Sequence, residues 1–373
     1  MITSKEHFHG SDLEKIETLY GIKKEELVNF AGNVNPLGIS PLLRQSLSER
    51  IDAITEYPDR EYTSLRQSIT AYLNKDRGTG SPINREDVLV GNGSTELISL
   101  MIQFISPSKA LILSPTYSEY ERELTLAGSK IDYFPLKEKK DFRLDCNALK
   151  AKLAEGYQLL VICNPNNPTS SAINKDTLAD ILSCCQENNV YCMVDETYVE
   201  FAPAVNAITA VSLISDYSRL IIIRGISKFF AAPGLRLGYA VVGDKELIAK
   251  VNRRKNPWTI NTLASLAGEI MFADENYIHT TRAFTQKERQ RVVTALKDIP
   301  DIKFYEPSAN FILLQVQKDS PTSYELFEGA IKKGMLLRDC SNFPLLNNRF
   351  IRFCFMSEEA NSKLLEYLKE SLS

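Results

Sequence analysis

The chain sets a lysine, Lys228, directly after the aliphatic run "LIIIRGIS" and ahead of the glycine- and aromatic-rich "FFAAPGLRLGY". A cation at the end of a buried strand loses hydration, so it needs a partner or a use. Lys228 is either a surface lysine just past a strand or an amine that condenses with a carbonyl. Arg236, a short distance on, is either half of a routine ion pair or a clamp on a phosphate. Asp195 heads "DETYVEF" after an apolar run. A carboxylate there either caps a helix or partners a protonated ring nitrogen, and in both cases it needs a cation or an N–H. In "GNGST" (91–95) the glycines permit close backbone approach, and a following helix would offer unpaired N–H groups to a phosphate. It is neither a Walker loop nor a G-x-G-x-x-G fingerprint, and alone it reads better as an ordinary strand-to-helix turn with a Ser/Thr cap.

The elements that must position these residues follow an alternating pattern from about residue 88. "DVLVG", "ALILS", "QLLVICN", "VYCMVDE", "RLIIIRG" and "GYAVVG" read as buried strands. Between them "STELISLMIQFI", "YSEYERELTLAG" and "KDTLADILSCCQENN" read as helices, the first with Ser94 or Thr95 at its N-terminus. The alternation predicts an α/β fold with a mostly parallel, doubly wound sheet. Ligands in such sheets sit beyond the carboxyl ends of the strands. Those ends carry "GNGSTE", "PTYSEY", "NPNNPT", "DETY" and "RGISK", which together could line one pocket. From about residue 256 the pattern changes to a long helical stretch, the strand pair in "IKFYEPSANFILLQVQ", the helix "SYELFEGAIKKG", the strand "NRFIRFCF" and a closing helix. This is an α+β cap, and the first ~35 residues are expected to join it, because "NVNPLG" reads as an extended connection.

Composition narrows the function classes. The 373 residues are 44% hydrophobic, enough for two domains or one large domain with a smaller companion. A net charge of −3 favours neither nucleic acid nor an anionic membrane surface. No apolar run approaches the ~20 residues that span a bilayer. The first residues are charged and lack the apolar core of a secretory signal. Seven scattered cysteines without a C-x-x-C pair fit reduced thiols in a cytoplasmic protein, and with three histidines and no H-E-x-x-H no metal site is expected.

"NPNNPT", "VDETY", "SKFFAAPGLRLGY" and "NRFIRF" occur in an order and at intervals that resemble the fold-type I pyridoxal-phosphate (PLP) enzymes, the aspartate aminotransferase superfamily. The resemblance spans nearly the whole chain. It implies a large domain with a mostly parallel sheet of the seven-stranded type between helices, plus a smaller α+β domain. The expected division is 1–35 as an arm joining the small domain, 36–255 as the PLP-binding domain and 256–373 as the small domain. Within the superfamily the chain resembles the histidinol-phosphate aminotransferase branch, and is most similar to the L-threonine O-3-phosphate decarboxylases of cobalamin biosynthesis. "HFHGSD", "NFAGNVNPLG", "EYPDREY", "NPWTINTLASLAGE", "SANFILL" and "LLRDCSNFPLLNNRFIRF" carry that likeness.

By this resemblance Lys228 holds PLP covalently and moves protons at Cα, and Asp195 keeps the pyridinium protonated so that the ring is an electron sink. Asn167 and Tyr198 are expected at the ring's phenolic oxygen, and Tyr117 on the ring face. Gly93, Ser94, Thr95, Ser227 and Arg236 are expected at the cofactor phosphate. Tyr57 is expected to reach the cofactor phosphate of a neighbouring subunit, which makes the enzyme a homodimer with shared active sites. Arg352 resembles the arginine that binds the substrate carboxylate, or else is an edge-strand arginine in solvent. His9, Gly10, Asn33 and Arg338, with Asn167, resemble contacts that bind and orient a phosphorylated amino acid. Three departures stand out: Gly225 in place of a Ser or Thr three residues before the lysine, Ser170 where "NPTG" has glycine, and Ser11 after His9-Gly10.

The implied activity is decarboxylation of threonine phosphate, or of serine phosphate, to the amino-alcohol phosphate. The alternative is amino-group transfer of the histidinol-phosphate type. The same residues serve both, because the outcome depends on which Cα bond stands perpendicular to the ring. A third expectation, a PLP-binding regulator without turnover, ranks lowest, since the chain offers no basic patch for a DNA-binding module.

Overall fold

The computed structural model describes residues 8, 10–75 and 81–372. Near the N-terminus, β1 (Val28–Asn29) leads into the stretch that crosses the middle of the molecule. The central sheet then collects β2 (Val88–Gly91), β3 (Lys109–Ser114), β4 (Lys130–Pro135), β5 (Leu159–Cys163), β6 (Tyr191–Asp195), β7 (Leu220–Gly225) and β8 (Gly238–Val242) in the order β2-β8-β7-β6-β5-β3-β4. β8 alone runs antiparallel, against both β2 and β7. Side chains alternate between two cores: Leu111, Leu160, Val194 and Ile222 face one, while Ile112, Val161, Met193 and Ile221 face the other. A sheet covered on both faces requires uninterrupted aliphatic runs, and these strands have them.

The sequence pattern does not announce β4. "KIDYFP" pairs only with β3 at the sheet edge and is largely exposed, so it lacks the aliphatic run of its neighbours. The helices Pro41–Glu49 and Thr63–Lys75 precede the alternating region and lie outside its pattern.

A second, antiparallel sheet contains β9 (Ile302–Phe304), β10 (Phe311–Val316), β12 (Arg338–Asp339) and β13 (Phe350–Cys354) in the order β12-β13-β10-β9. The intervening β11 (Met335–Leu336) pairs in parallel with β1, Val28 against Met335. Phe8, Ile16, Leu27 and Ala31 pack on Phe327, Ile331 and Leu336, which fixes the N-terminal residues to this part of the chain. Residues 29–35 therefore pass between the sheets: Cys354 N–H donates to Phe30 O (2.9 Å), and Asn35 N–H to Lys228 O (3.0 Å). Among the described residues no helix is long and apolar enough to cross a membrane.

Candidate active site

The carboxyl edge of the central sheet opens into a cavity of about 600 Å3. At this edge three glycines stand in register, Gly91 on β2, Gly238 on β8 and Gly225 on β7. A Cβ on Gly238 would lie 2.6 Å from Ser94 N, so only glycine lets the helix Gly93–Ile105 start this close to the sheet. Gly93 has φ +79°, and a Cβ there would meet Arg236 Nη2 at 2.5 Å. The guanidinium thus occupies the space a side chain would take, beside the free N–H groups of the helix start. Ser94, Thr95, Ser227 and Arg236 line the same end of the cavity, a donor set suited to a phosphate.

Deeper in, the strand end at β6 sorts its residues by face. Asp195 points into the cavity. Its Oδ1 accepts from Thr197 N–H (2.9 Å) and Thr197 Oγ (2.6 Å), and its Oδ2 accepts from Tyr120 Oη (2.6 Å). Burial raises the Asp195 pKa, with the Thr197 and Tyr120 bonds acting in the opposite sense. Such a carboxylate gains most from a cationic partner. Glu196 turns the other way. Its Oε2 accepts from Arg224 Nε (3.0 Å) and Nη2 (2.8 Å), and Glu200, 3.8 Å from Arg224, accepts from Tyr72 Oη (2.9 Å). This buried network anchors the loop that presents Asp195 and Tyr198.

Lys228 is half-buried, and its Nζ donates to Gly32 O at 2.7 Å. Burial lowers its pKa to about 8, with Arg352 and then Arg236 adding to the effect. A neutral amine near physiological pH is the form that attacks a carbonyl. Tyr198 Oη accepts from Asn33 Nδ2 (3.3 Å), and burial raises its pKa. Tyr117 is pushed up to about 12, again by burial first, and its ring meets Tyr120 edge-on at 5.6 Å.

On the opposite wall Arg352 donates to Asn167 Oδ1 and to Ala31 O (2.8 Å), with its guanidinium 5.2 Å from the Phe311 ring centre. Arg338 donates to Phe8 O and to Asn342 Oδ1 (2.8 Å). Among the described residues Arg352 Nε and Asn33 Oδ1 are buried without a hydrogen-bond partner. Such orphaned groups are expected where a ligand completes the site. Gly10 lies against the 31–32 backbone, where a Cβ would come within 2.5 Å of Ala31 C and Gly32 N.

The cavity brings together Gly10, Asn33, Gly93, Ser94, Thr95, Tyr117, Asn167, Asp195, Tyr198, Ser227, Lys228, Arg236, Arg338 and Arg352. His9 lies outside the described residues. Tyr57 does not reach the cavity of its own chain: it is 83% exposed, with its ring 5.1 Å from that of Trp258. Sequence reasoning missed Tyr120, Thr197 and the Gly32 carbonyl. Tyr120 had a signal, since it stands three residues after Tyr117, which precedes the Ser118 cap of the helix Glu119–Leu126 that carries Tyr120. Ser170 adopts φ +59°, and its hydroxyl accepts from Ala309 N–H at 2.9 Å, a bond glycine could not make.

These residues fit pyridoxal 5′-phosphate. A carbonyl-reactive amine, a buried carboxylate for a ring N–H, an aromatic face and a phosphate cup share one cavity. The description "Aminotransferase class I and II" matches residues 25–368, and the chain belongs to this family of fold-type I, PLP-dependent enzymes. It is 30% identical to the threonine-phosphate decarboxylase of Salmonella typhimurium over 98% of this chain and 96% of that one. The histidinol-phosphate aminotransferase of Clostridium acetobutylicum superposes with a TM-score of 0.82 at 32% identity, covering 91% of this chain and 98% of that chain. The PLP complex of the histidinol-phosphate aminotransferase from Sinorhizobium meliloti shares the fold, with a TM-score of 0.82 at 19% identity over 96% and 94% of the two chains. PLP is the cofactor, and the relatives include both a decarboxylase and aminotransferases.

Proposed function

We propose that this enzyme decarboxylates a 3-phospho-amino acid, L-threonine phosphate or its close analogue serine phosphate, to the amino-alcohol phosphate. The observation that carries this reading is the pair Arg338 and Arg352, 4% and 5% exposed, on one wall of the cavity. Two desolvated guanidiniums suit a substrate with two anionic groups. A phospho-amino acid brings a carboxylate and a phosphate, whereas histidinol phosphate, an amino-alcohol phosphate, brings no carboxylate. Arg352, held by Asn167, is assigned to the carboxylate. Arg338, with Gly10, Asn33 and His9, is assigned to the phosphate end.

When bound to Lys228, PLP supplies a conjugated cationic ring that accepts the electron pair of the broken Cα bond. Asp195 keeps the ring nitrogen protonated, with Tyr120 and Thr197 holding the carboxylate in place. Tyr198 and Asn167 would donate to the ring's oxygen, and Tyr117 would cover the ring face. Ser94, Thr95, Ser227 and Arg236 hold the cofactor phosphate. Lys228 is the group that would deliver a proton to Cα. The arginines fix which Cα bond is activated by fixing the carboxylate's direction.

The reading also includes a homodimer in the cytoplasm. Leu42, Ile51, Ile54, Tyr57 and Trp258 are 50%, 49%, 61%, 83% and 44% exposed, an apolar set that a second copy would cover. All seven cysteines are free, as in reducing compartments. Aminotransfer is the second reading, favoured by the likeness to the Clostridium acetobutylicum enzyme. The test is a product assay with threonine phosphate, serine phosphate, and histidinol phosphate plus 2-oxoglutarate side by side. CO2 release from a phospho-amino acid, lost in Lys228→Ala, supports the proposal. Consumption of 2-oxoglutarate without CO2 release replaces it with aminotransfer.

A further inference from the structure

Away from the active-site cavity, the loop after Tyr198 and one face of the long helix Glu275–Leu296 enclose a second cavity of about 420 Å3. Arg282, Gln286 and Arg289 line it from the helix, at spacings that put them on one face. Phe201, Val205 and Asn206 line it from the loop.

Arg289 is 5% exposed. One of its terminal nitrogens donates to the carbonyls of Phe201 and Ala309, the latter at 3.1 Å, while its Nε is buried without a partner. Among the described residues it forms no salt bridge. The acidic group that acts on it is the exposed Glu306, and burial pushes its pKa down to about 10. Arg224, equally buried, differs in being matched by Glu196 and Glu200. A buried guanidinium without a counter-ion is costly, and an anion entering the cavity would relieve that cost.

We propose that this cavity is a second anion site, which takes the phosphate group of a small phosphomonoester. Arg289, Arg282, whose charge also acts on Glu200, and the amides of Gln286 and Asn206 offer more donors than a lone carboxylate accepts, and match a doubly charged group with three terminal oxygens. The Phe201 and Val205 side chains form an apolar wall for the organic remainder. An occupant would also load the segment beneath the cofactor lysine. The Phe201 ring packs 5.1 Å from that of Phe229, the residue after Lys228. Ala309, held by Arg289, precedes Asn310, which donates to Asn33 O at 3.0 Å.

The test is equilibrium dialysis of radiolabelled inorganic phosphate against PLP-loaded enzyme carrying Arg338→Gln, which silences the substrate-phosphate position proposed above. One phosphate per chain is expected. Adding Gln286→Glu places a negative charge in the cavity from an exposed position that makes no hydrogen bond in the structure, and should weaken binding at least tenfold. Arg289→Gln should abolish binding, but it also cuts the links to Phe201 and Ala309, so Gln286→Glu is the decisive variant. Binding that is unchanged by Gln286→Glu, absent at millimolar phosphate, or displaced by equimolar acetate overturns the proposal.

Discussion

Arg338 and Arg352 are direct cross-strand partners in the antiparallel β12–β13 ladder. Like charges opposed in a sheet repel, and both are buried. Among the described residues Arg352 donates only to the neutral groups Ala31 O and Asn167 Oδ1. Arg338 is bonded to Phe8 O and Asn342 Oδ1, with Asp12 and Asp339 acting on it electrostatically. Among the described residues the Arg352 side of the wall is therefore short of negative charge until an anionic substrate arrives. For Arg338→Gln we expect kcat/KM for the phospho-amino acid to fall by about thirtyfold or more, the cost of truncating one partner of a buried charge pair. The melting temperature of the cofactor-loaded enzyme should hold or rise, because one of two facing cations is gone. A drop of several degrees in calorimetry would assign Arg338 a structural role instead.

The lowered pKa of Lys228 has a definite sign. In cofactor-free enzyme the neutral amine grows as pH rises toward about 8, so acylation of Lys228 followed by mass spectrometry should speed up roughly tenfold per pH unit below that midpoint and level off above it. Arg352→Gln should move the midpoint upward, since Arg352 is the cation that adds most to burial. The unfolded chain keeps this proton until about pH 10.4. It therefore binds more protons than the folded state between the two values, and the cofactor-free fold gains stability with rising pH across that window.

Tyr120 donates to Asp195 at 2.6 Å, and that bond holds the carboxyl pKa down. Tyr120→Phe removes only the hydroxyl. We expect Asp195 to bind a proton more readily and to keep the ring nitrogen protonated less well. The loss of a hydrogen bond to a charged group, ~1.5–3 kcal/mol, should appear as a drop of about ten- to a hundredfold in kcat with little change in KM. An unchanged kcat would show that Thr197 alone suffices to set Asp195.

Gly225 leaves room for a hydroxyl. A Cβ there would meet Ser94 Oγ at 3.5 Å and Ser227 Oγ at 3.9 Å, ordinary contact distances. Gly225→Ser is therefore expected to fold normally and to tighten PLP binding severalfold by adding a donor to the phosphate cup, measured by fluorescence titration of cofactor-free enzyme. Weaker binding would mean that the added side chain crowds the cup.

Tyr57 is exposed and outside its own chain's cavity, so a role at a neighbour's cofactor can be checked by mixing inactive partners. Tyr57→Ala and Lys228→Ala enzymes, each nearly inactive alone, should regain activity when unfolded and refolded together. The mixed dimer then carries one site free of both substitutions. Failure to recover activity, with mixed dimers present by native mass spectrometry, would remove Tyr57 from the site.

The sheet strands buried on both faces were legible as aliphatic runs, and the residues just past them marked the edge where the cavity lies. β4 escaped because an edge strand needs no such run, and β1, β11 and β12 because a two-residue strand carries no periodicity. The order of "NPNNPT", "VDETY" and "SKFFAAPGLRLGY" was enough to indicate PLP chemistry, because each group must stand at a fixed strand end to meet one ring.

The sequence by itself determined the α/β architecture, since aliphatic runs and the polar turns after them are local patterns, and its resemblance to the fold-type I enzymes pointed to the cofactor class and to Lys228. Only the tertiary structure set Arg338 opposite Arg352, put the Gly32 carbonyl on Lys228 and placed Tyr120 beneath Asp195. Those contacts join residues 14, 196 and 75 positions apart. They follow from sheet register and from the path of residues 29–35 between the two sheets, which no local spacing encodes.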